Sequence, residues 1–349
     1  MWVELATIGI KLAIVVGVLL TTVPIMVWVE RRGSALIQDR LGPNRVGPFG
    51  LLQPVVDAVK LITKENLVPT GVNTFLYVLA PAIALSVALT TFIVIPFGYD
   101  SGLTLFGYPV DGFVVAPALN IGVLYIFAVA SLSVYSLVLA GWASNNKYSL
   151  FGGIRASAQM ISYELAMTVS VVGVLMAAGS LRLDTVVLQQ SSTWFGFLPK
   201  WNVVLQPLGA ITFMVAAFAE TNRLPFDLPE AEAELVAGYH TEYSSMKFAA
   251  FFMSEYVNMV TSAALITLLF FGGWTLPFFT APQGWPGAIF SMVIFAAKVA
   301  FFLWFFVWVR WTLPRFRFDQ LMGLGWKVMI PLSVLNFLWV GVAMALGWM

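Results

Sequence analysis

The 349-residue sequence has no cysteine and a single histidine, His240. Such a chain cannot ligate an iron–sulfur cluster or a bis-histidine haem with its own side chains, so no one-electron metal relay fits inside it. His240 is equally a poor metal ligand, since no cysteine and no second histidine can join it; a structural hydrogen bond is the expectation. No Gly-x-Gly-x-x-Gly turn follows a strand-like run, which argues against a Rossmann-type site for NAD or flavin. Charge is scarce too, at 10% of residues against roughly 25% in soluble domains. A net charge of +1 with no dense basic run gives no footprint for nucleic acid. Any redox role must therefore use neighbouring subunits.

What is abundant is apolar surface, 60% of residues, so the bilayer is this protein's solvent. Apolar stretches of spanning length, about 20 residues each, occur at 5–29, 74–96, 113–141, 157–179, 202–219, 249–271, 288–310 and 327–347. The first is longer than the apolar core of a signal peptide and lacks a small-residue cleavage site, so it reads as a membrane helix. The expected fold is all-α: one polytopic membrane domain over 1–349 with eight transmembrane helices. An even number puts both termini on one side. Fourteen basic residues, among them Arg31, Arg32, Arg45, Lys60, Lys147, Arg155, Lys247, Arg317 and Lys327, fall in or beside loops of one side, and only Arg182 and Lys200 in loops of the other. The positive-inside rule makes the first side cytoplasmic and both termini external. No repeated helix pattern is visible, which weighs against many secondary transporters.

Between the first two spans, Gln53, Asp57, Lys60 and Lys64 recur at i, i+4, i+7 and i+11, one face of a helix over about 49–65. Its other face is Leu51, Leu52, Val55, Val56, Val59, Leu61 and Ile62. Too short and too charged to span, it should lie in the plane of the interface. Gly42-Pro43 in the preceding segment turns the chain and brings Arg40 toward the polar face.

Three acids share a depth in this reading: Glu164 about two turns into the fourth span, Glu255 about two turns into the sixth, and Glu220 at the end of the fifth. A charge in hydrocarbon costs at least about 2.5–3.5 kcal/mol, so these groups should face the bundle interior, be hydrated or be protonated. Lys298, deeper in the seventh span, is a candidate partner at the far end of the line. Outward of Lys298 no acid lies at membrane depth, so a proton path from the loop would leave sideways, into a partner subunit. The loop itself crowds Glu220, Asp227, Glu230, Glu232 and Glu234 against Arg223, and Phe226, Leu228, Tyr239 and Tyr243 interleave with the charges. That mixture suggests a loop covered by protein, while a plain solvated acidic loop remains the alternative.

Five runs together give a specific resemblance: 29–32 (VERR), 42–54 (GPNRVGPFGLLQP) through Lys64 and Glu65, 161–164 (ISYE), 219–227 (AETNRLPFD) through Glu255 and Tyr256, and 315–322 (RFRFDQLM). Over nearly the whole chain the sequence resembles the H-subunit family of bacterial NADH:quinone oxidoreductase, respiratory complex I. The resemblance implies a non-redox subunit of a proton-translocating enzyme (a translocase) in the bacterial inner membrane, with no catalytic residue and no metal of its own. Quinone, such as ubiquinone, would be the substrate; iron–sulfur clusters, FMN and NADH would belong to partner subunits. Those partners would be the peripheral subunits carrying the terminal cluster, plus small and antiporter-like membrane subunits within the lipid bilayer. By matching position, Arg40, Asp57, Glu220, Arg223, Phe226 and Asp227 would border the quinone cavity. Glu164, Glu220, Glu230, Glu232, Glu234, Glu242, Glu255 and Lys298 would form the proton path, and Glu30, Arg310 and Arg315 would be structural charges. Some family members carry an acid within the third span; none stands here between Asp111 and Glu164. Two alternatives stay open: an anchor subunit of a membrane-bound hydrogenase or formate-linked complex, and a stand-alone ion-coupled transporter.

Overall fold

A computed structural model describes residues 2–99, 104–105, 108–109, 114–116, 119–194, 198–229, 232–278 and 284–347. Its helices are α1 (Trp2–Ile37), α2 (Gln53–Thr63), α3 (Thr74–Thr90), α4 (Gly122–Ala130), α5 (Leu132–Ala143), α6 (Lys147–Ala178) and α7 (Leu183–Gln189). They continue with α8 (Asn202–Leu205), α9 (Pro207–Glu220), α10 (Glu232–Leu235), α11 (Ser245–Phe270), α12 (Trp285–Thr312), α13 (Phe318–Leu324) and α14 (Ile330–Ala345). Two hairpins of two-residue strands, Thr104–Leu105 with Tyr108–Pro109 and Thr193–Trp194 with Leu198–Pro199, are the only strands among the described residues. Local chemistry sets several ends. The Asn73 side chain accepts from the Leu76 N–H at the start of α3, Asn146 accepts from Tyr148 at the start of α6, and Gly179 closes α6 in the left-handed conformation.

Among the described residues, seven helices are long and apolar enough to cross a membrane, with α4 and α5 forming one of them and α13 and α14 another, through a π-turn at Gly325–Met329. The stretch expected at 202–219 differs. It is broken: α8 ends at Leu205 and α9 begins at Pro207, whose missing N–H and fixed φ suit the first position of a helix and no position inside one. The 14 residues of α9 rise only about 21 Å, short of the roughly 30 Å hydrocarbon core.

The break leaves the first N–H groups of α9 without helical partners, the end of α11 leaves its last carbonyls so, and buried amide side chains bond these groups and tie the break to α6. The Gly209 N–H donates to Asn336 Oδ1 at 3.1 Å, and Gln206 Nε2 to the Gly173 carbonyl at 3.3 Å. Asn202 Nδ2 donates to Leu269 O at 2.7 Å, and Gln190 Nε2 to Leu268 O at 2.9 Å. The Gln190 Oε1 accepts from the N–H groups of Asn202 and Gly272. Gln190, Asn202, Gln206 and Asn336 are all buried. A Cβ on Gly209 would lie 2.6 Å from Asn336 Nδ2, so a larger residue here would displace the Asn336 amide.

The core is built round α11, buried along Val257, Val260, Ala263, Ile266, Leu268 and Phe270. It packs on α3, α12, α2 and α1, while α6 packs on α5, α9 and α14. A smaller apolar cluster, with Tyr77, Ala84, Leu137, Ala156, Met160, Tyr239, Tyr243 and Phe251, joins α3, α5, α6 and α11 to the loop before α11. α1, α12 and α14 turn isoleucines, leucines, valines and tryptophans outward, as expected for helices solvated by lipid.

Candidate functional site

Of the polar row of α2, Gln53 and Asp57 are half-buried, and Lys60 and Lys64 are exposed. Gln53 Nε2 donates to Asp57 Oδ1 at 3.1 Å and Asp57 pairs with Arg31 of α1, while Leu52, Val55, Val56, Val59 and Ile62 are exposed. The arginine on this face is Arg31 and not the expected Arg40. α1 runs on to Ile37, which leaves Arg31 level with α2, and Arg40 beyond the helix end bonds Gln38 at 2.7 Å and Ser34 at 3.4 Å.

The segment after α9 folds back under α6. Gln159 of α6, fully buried, donates its amide to the carbonyls of Ala219 and Phe226, each at 2.8 Å, and to Asn222 Oδ1 at 3.2 Å. Phe226 packs edge-on against Tyr163 with centroids 5.3 Å apart and lies 5.5 Å from Phe316. Asp227 receives Arg315 at 2.8 Å, and the Phe316 N–H donates to Pro225 O. On the other side Gly152 admits the loop: a Cβ there would meet the Tyr239 nitrogen at 2.6 Å. The loop is thus covered by protein, and Phe226, Leu228, Tyr239 and Tyr243 are buried.

This folding assembles an ionic network from four elements. Glu30 of α1, buried, pairs with Arg310 of α12 and with Arg223 Nη1 at 3.4 Å, and accepts the Tyr256 hydroxyl at 2.6 Å. Arg223 also reaches Glu255 with Nη2 at 3.6 Å and lies 4.3 Å from the centre of the Tyr256 ring. The Tyr239 hydroxyl donates to Glu255 Oε1 at 2.9 Å. Beside the network is a cavity of about 20 Å³ lined by Glu220, Glu255, Ser133, Ser136, Thr221, Asn222, Tyr239, Ser254 and Asn258, with Ala84, Leu137 and Met160. That is room for about one water, with hydroxyls and amides to hold it.

The structure therefore brings Glu220 and Glu255 to one polar cavity and ties Arg223, Glu30 and Arg310 to Glu255. Glu164, half-buried on α6, follows Tyr163 but is not among the residues lining the cavity. Glu234 pairs with Arg155 at 2.6 Å on the exposed side, and Glu242 accepts from Asn146 Nδ2 at 2.6 Å. Glu230 and the side chain of Glu232 lie outside the described residues. Lys298 is turned away from the acids. Its ammonium donates to the carbonyls of Phe271 and Thr275, both at 2.7 Å, and sits 4.6 Å from the Trp201 ring centre. Phe271 caps the far end of α11 and Thr275 lies in the turn just beyond it, and the sixteen steps from Glu255 to Phe271 make about 24 Å of helix. The terminal carbonyls of α11 attract a cation more strongly than carboxylates one helix length away. His240 packs edge-on against Tyr239 and Phe248.

The chain matches the family model described as NADH dehydrogenase over residues 10–341. It is 50% identical over 331 residues to an NADH-quinone oxidoreductase H-subunit of Geobacter metallireducens, covering 95% of this chain and 94% of that one. It is 49% identical over 322 residues to an H-subunit of the same enzyme from Cytophaga hutchinsonii, covering 91% of each. With "NADH-quinone oxidoreductase subunit 8" of Rhodothermus marinus it shares 47% identity over 343 residues, 95% of this chain and 96% of the relative. The chain belongs to the H-subunit family of NADH-quinone oxidoreductase. It is a multi-pass membrane protein of that family, and of the three readings open at the level of sequence this is the one its relatives support.

Gln159, Ser133, Ser136 and Asn258 belong to the candidate site, and the charge pattern of the sequence does not reveal them. The two serines are three apart on the otherwise apolar α5, and Ser254 and Asn258 four apart on α11 beside Glu255. Polar residues at helical spacing inside a span are the signal that points to them.

Proposed function

We propose that the chain is the membrane subunit that walls the quinone cavity of a proton-translocating NADH:quinone oxidoreductase and couples quinone reduction to charge movement through buried carboxylates. The observation that carries this reading is the shared polar cavity of Glu220 and Glu255, at the root of a loop whose Arg223 and Asp227 are themselves buried. Quinone reduction on one side of that loop alters its charge; Arg223 and the two glutamates sense the change on the other. The subunit carries no electron and is not catalytic alone. Arg40, Asp57, Phe226 and Asp227 border the quinone, and the acidic path continues through Glu164, Glu230, Glu232, Glu234 and Glu242 toward antiporter-like membrane subunits. Peripheral subunits bearing the terminal iron–sulfur cluster, with FMN and NADH beyond it, dock on the basic side. That side is cytoplasmic. α8 and α9 together make an eighth crossing, both termini are periplasmic, α2 lies in the interface with its exposed apolar face in lipid, and the whole is one domain.

The test is Glu220→Gln and Glu255→Gln in the assembled enzyme reconstituted into liposomes, with proton movement followed by a pH dye. Coupled proton movement should fall at least about tenfold while electron entry, read with ferricyanide, is kept. Full pumping in both variants would overturn the coupling role. Photolabelling of 40–64 and 220–227 by a photoreactive quinone is expected; labelling of neither run would remove the cavity assignment.

A further inference from the structure

Arg223 stands between two carboxylates and closes on neither. Its distances of 3.4 Å to Glu30 and 3.6 Å to Glu255 each exceed by about 0.7 Å the 2.7–2.9 Å of a full charge-assisted hydrogen bond. The two carboxylates are not equivalent. Glu30 is also held by Arg310 and by the Tyr256 hydroxyl, and all of these side chains but Arg310 are buried. Glu255 has the Tyr239 hydroxyl and an opening to the cavity it shares with Glu220. Protons can thus reach Glu255 through the polar cavity, while Glu30 is enclosed between two arginines.

We infer that Glu30, held by Arg310 and Tyr256, is a positioning residue that keeps Arg223 within reach of Glu255 without closing on it, so that the charge on Glu255 decides where the guanidinium rests. The inference rests on the reading of Glu255 as a coupling carboxylate. When Glu255 is ionised, Arg223 is shared. When a proton arrives from the cavity side, Glu255 becomes neutral, Arg223 keeps its own proton and moves onto Glu30. That sub-ångström motion pulls on 221–228, the segment that carries Phe226 and the Asp227–Arg315 pair, and so reports the state of Glu255 to the opposite side of the loop. The groups facing Arg223 and its two partners are Glu30 from α1, Glu220 from α9, Tyr239 from the loop, Glu255 and Tyr256 from α11, and Arg310 from α12. With Glu30 neutralised, Arg223 would close on Glu255 permanently and hold it ionised.

The experiment compares Glu30→Gln, Glu30→Asp and Tyr256→Phe in the assembled complex in native membranes, with quinone reductase activity measured across pH and ferricyanide reduction as the assembly control. Glu30→Gln should move the pH optimum by about one unit toward acid and Glu30→Asp should return it toward that of the parent. If Glu30→Gln fails to assemble, Tyr256→Phe, which removes the 2.6 Å hydroxyl bond but little packing, should give a smaller shift of the opposite sign, because Glu30 without that donor draws Arg223 away from Glu255. A profile superimposed on the parent's in Glu30→Gln, or in Tyr256→Phe where only that variant assembles, overturns the inference. Glu255→Gln in the same assay separates the two failures: if it too leaves the profile unmoved, the coupling reading falls, and if it alone moves the profile, only the role of Glu30 falls.

Discussion

The two ends of the bundle solve the same problem in different ways. At the end where 221–244 folds in, buried polar groups are ionic: Glu30, Arg223, Glu255 and Arg310 on four elements, with tyrosine hydroxyls filling the remaining positions. At the opposite end, round the break between α8 and α9, they are neutral: Gln190, Asn202 and Asn336 satisfy backbone groups at helix ends, and Gln206 ties the break to α6. An amide network has one charge state and holds a shape. A carboxylate network has several, and each redistributes its counter-charges. The amide end is a fixture, and the ionic end can respond to a proton.

The comparison breaks most easily at Arg223. Arg223→Leu leaves Glu30 and Glu255 with fewer counter-charges in a buried site, a loss of about 3–5 kcal/mol for removing one partner of a buried pair; thermal inactivation of the purified complex should fall sharply in temperature, with proton pumping lost. Next in size is Asn336→Leu, which strands the Gly209 N–H and the Gln206 side chain. About 1–3 kcal/mol per buried group is expected, seen in the same thermal assay, with the pH profile of turnover unchanged. A moved profile would show that the two ends are not separate.

Lys298→Gln sharpens the boundary from the other direction. Because Lys298 bonds the end of α11, glutamine should retain a donor to those carbonyls; pumping should stay within about twofold and stability fall by about 1 kcal/mol. Loss of pumping with assembly intact would place Lys298 on the proton path. Smallest is Arg155→Ala, which removes an exposed pair with Glu234 and should cost at most about 1 kcal/mol.

The loop between α6 and α8 supplies a pH control. Burial opposes ionisation of Asp184, but hydrogen bonds from Arg182 and Thr185 together with the Arg182 charge outweigh it, so its carboxyl titrates below the usual carboxylate range. A depressed folded-state pKa stabilises above the unfolded value and loses that contribution as pH falls through the folded one. Asp184→Asn should remove a small stabilisation at neutral pH and leave acid stability unchanged, as differential scanning of the two proteins would read.

Much of this architecture is legible in the apolar runs, because hydrophobic length is a local property and a helix in lipid satisfies its own backbone. The 74–96 and 249–271 stretches correspond to α3 and α11, and the polar row of 53–64 corresponds to α2. The break at Pro207 lies inside an apolar run whose summed hydropathy hides it. Sequence points to Arg40 in place of Arg31 because it shows the turn at Gly42-Pro43 but not that α1 continues to Ile37. Ser133 and Ser136 carry no charge and blend into an apolar helix, although they complete the cavity.

Composition and order of residues by themselves determined that this chain lives in a membrane, has no thiolate and a single imidazole, and concentrates its acids where the spans meet one loop. Which acids share a cavity, and which basic group each one meets, was decided only by the packing of helices. Glu30 and Arg310 are 280 residues apart, Glu30 and Tyr256 are 226 apart, and Arg223 reaches Glu30 across 193. No local periodicity encodes such separations. They follow from the crossing positions of α1, α11 and α12, which the interlocking of buried side chains fixes as a whole.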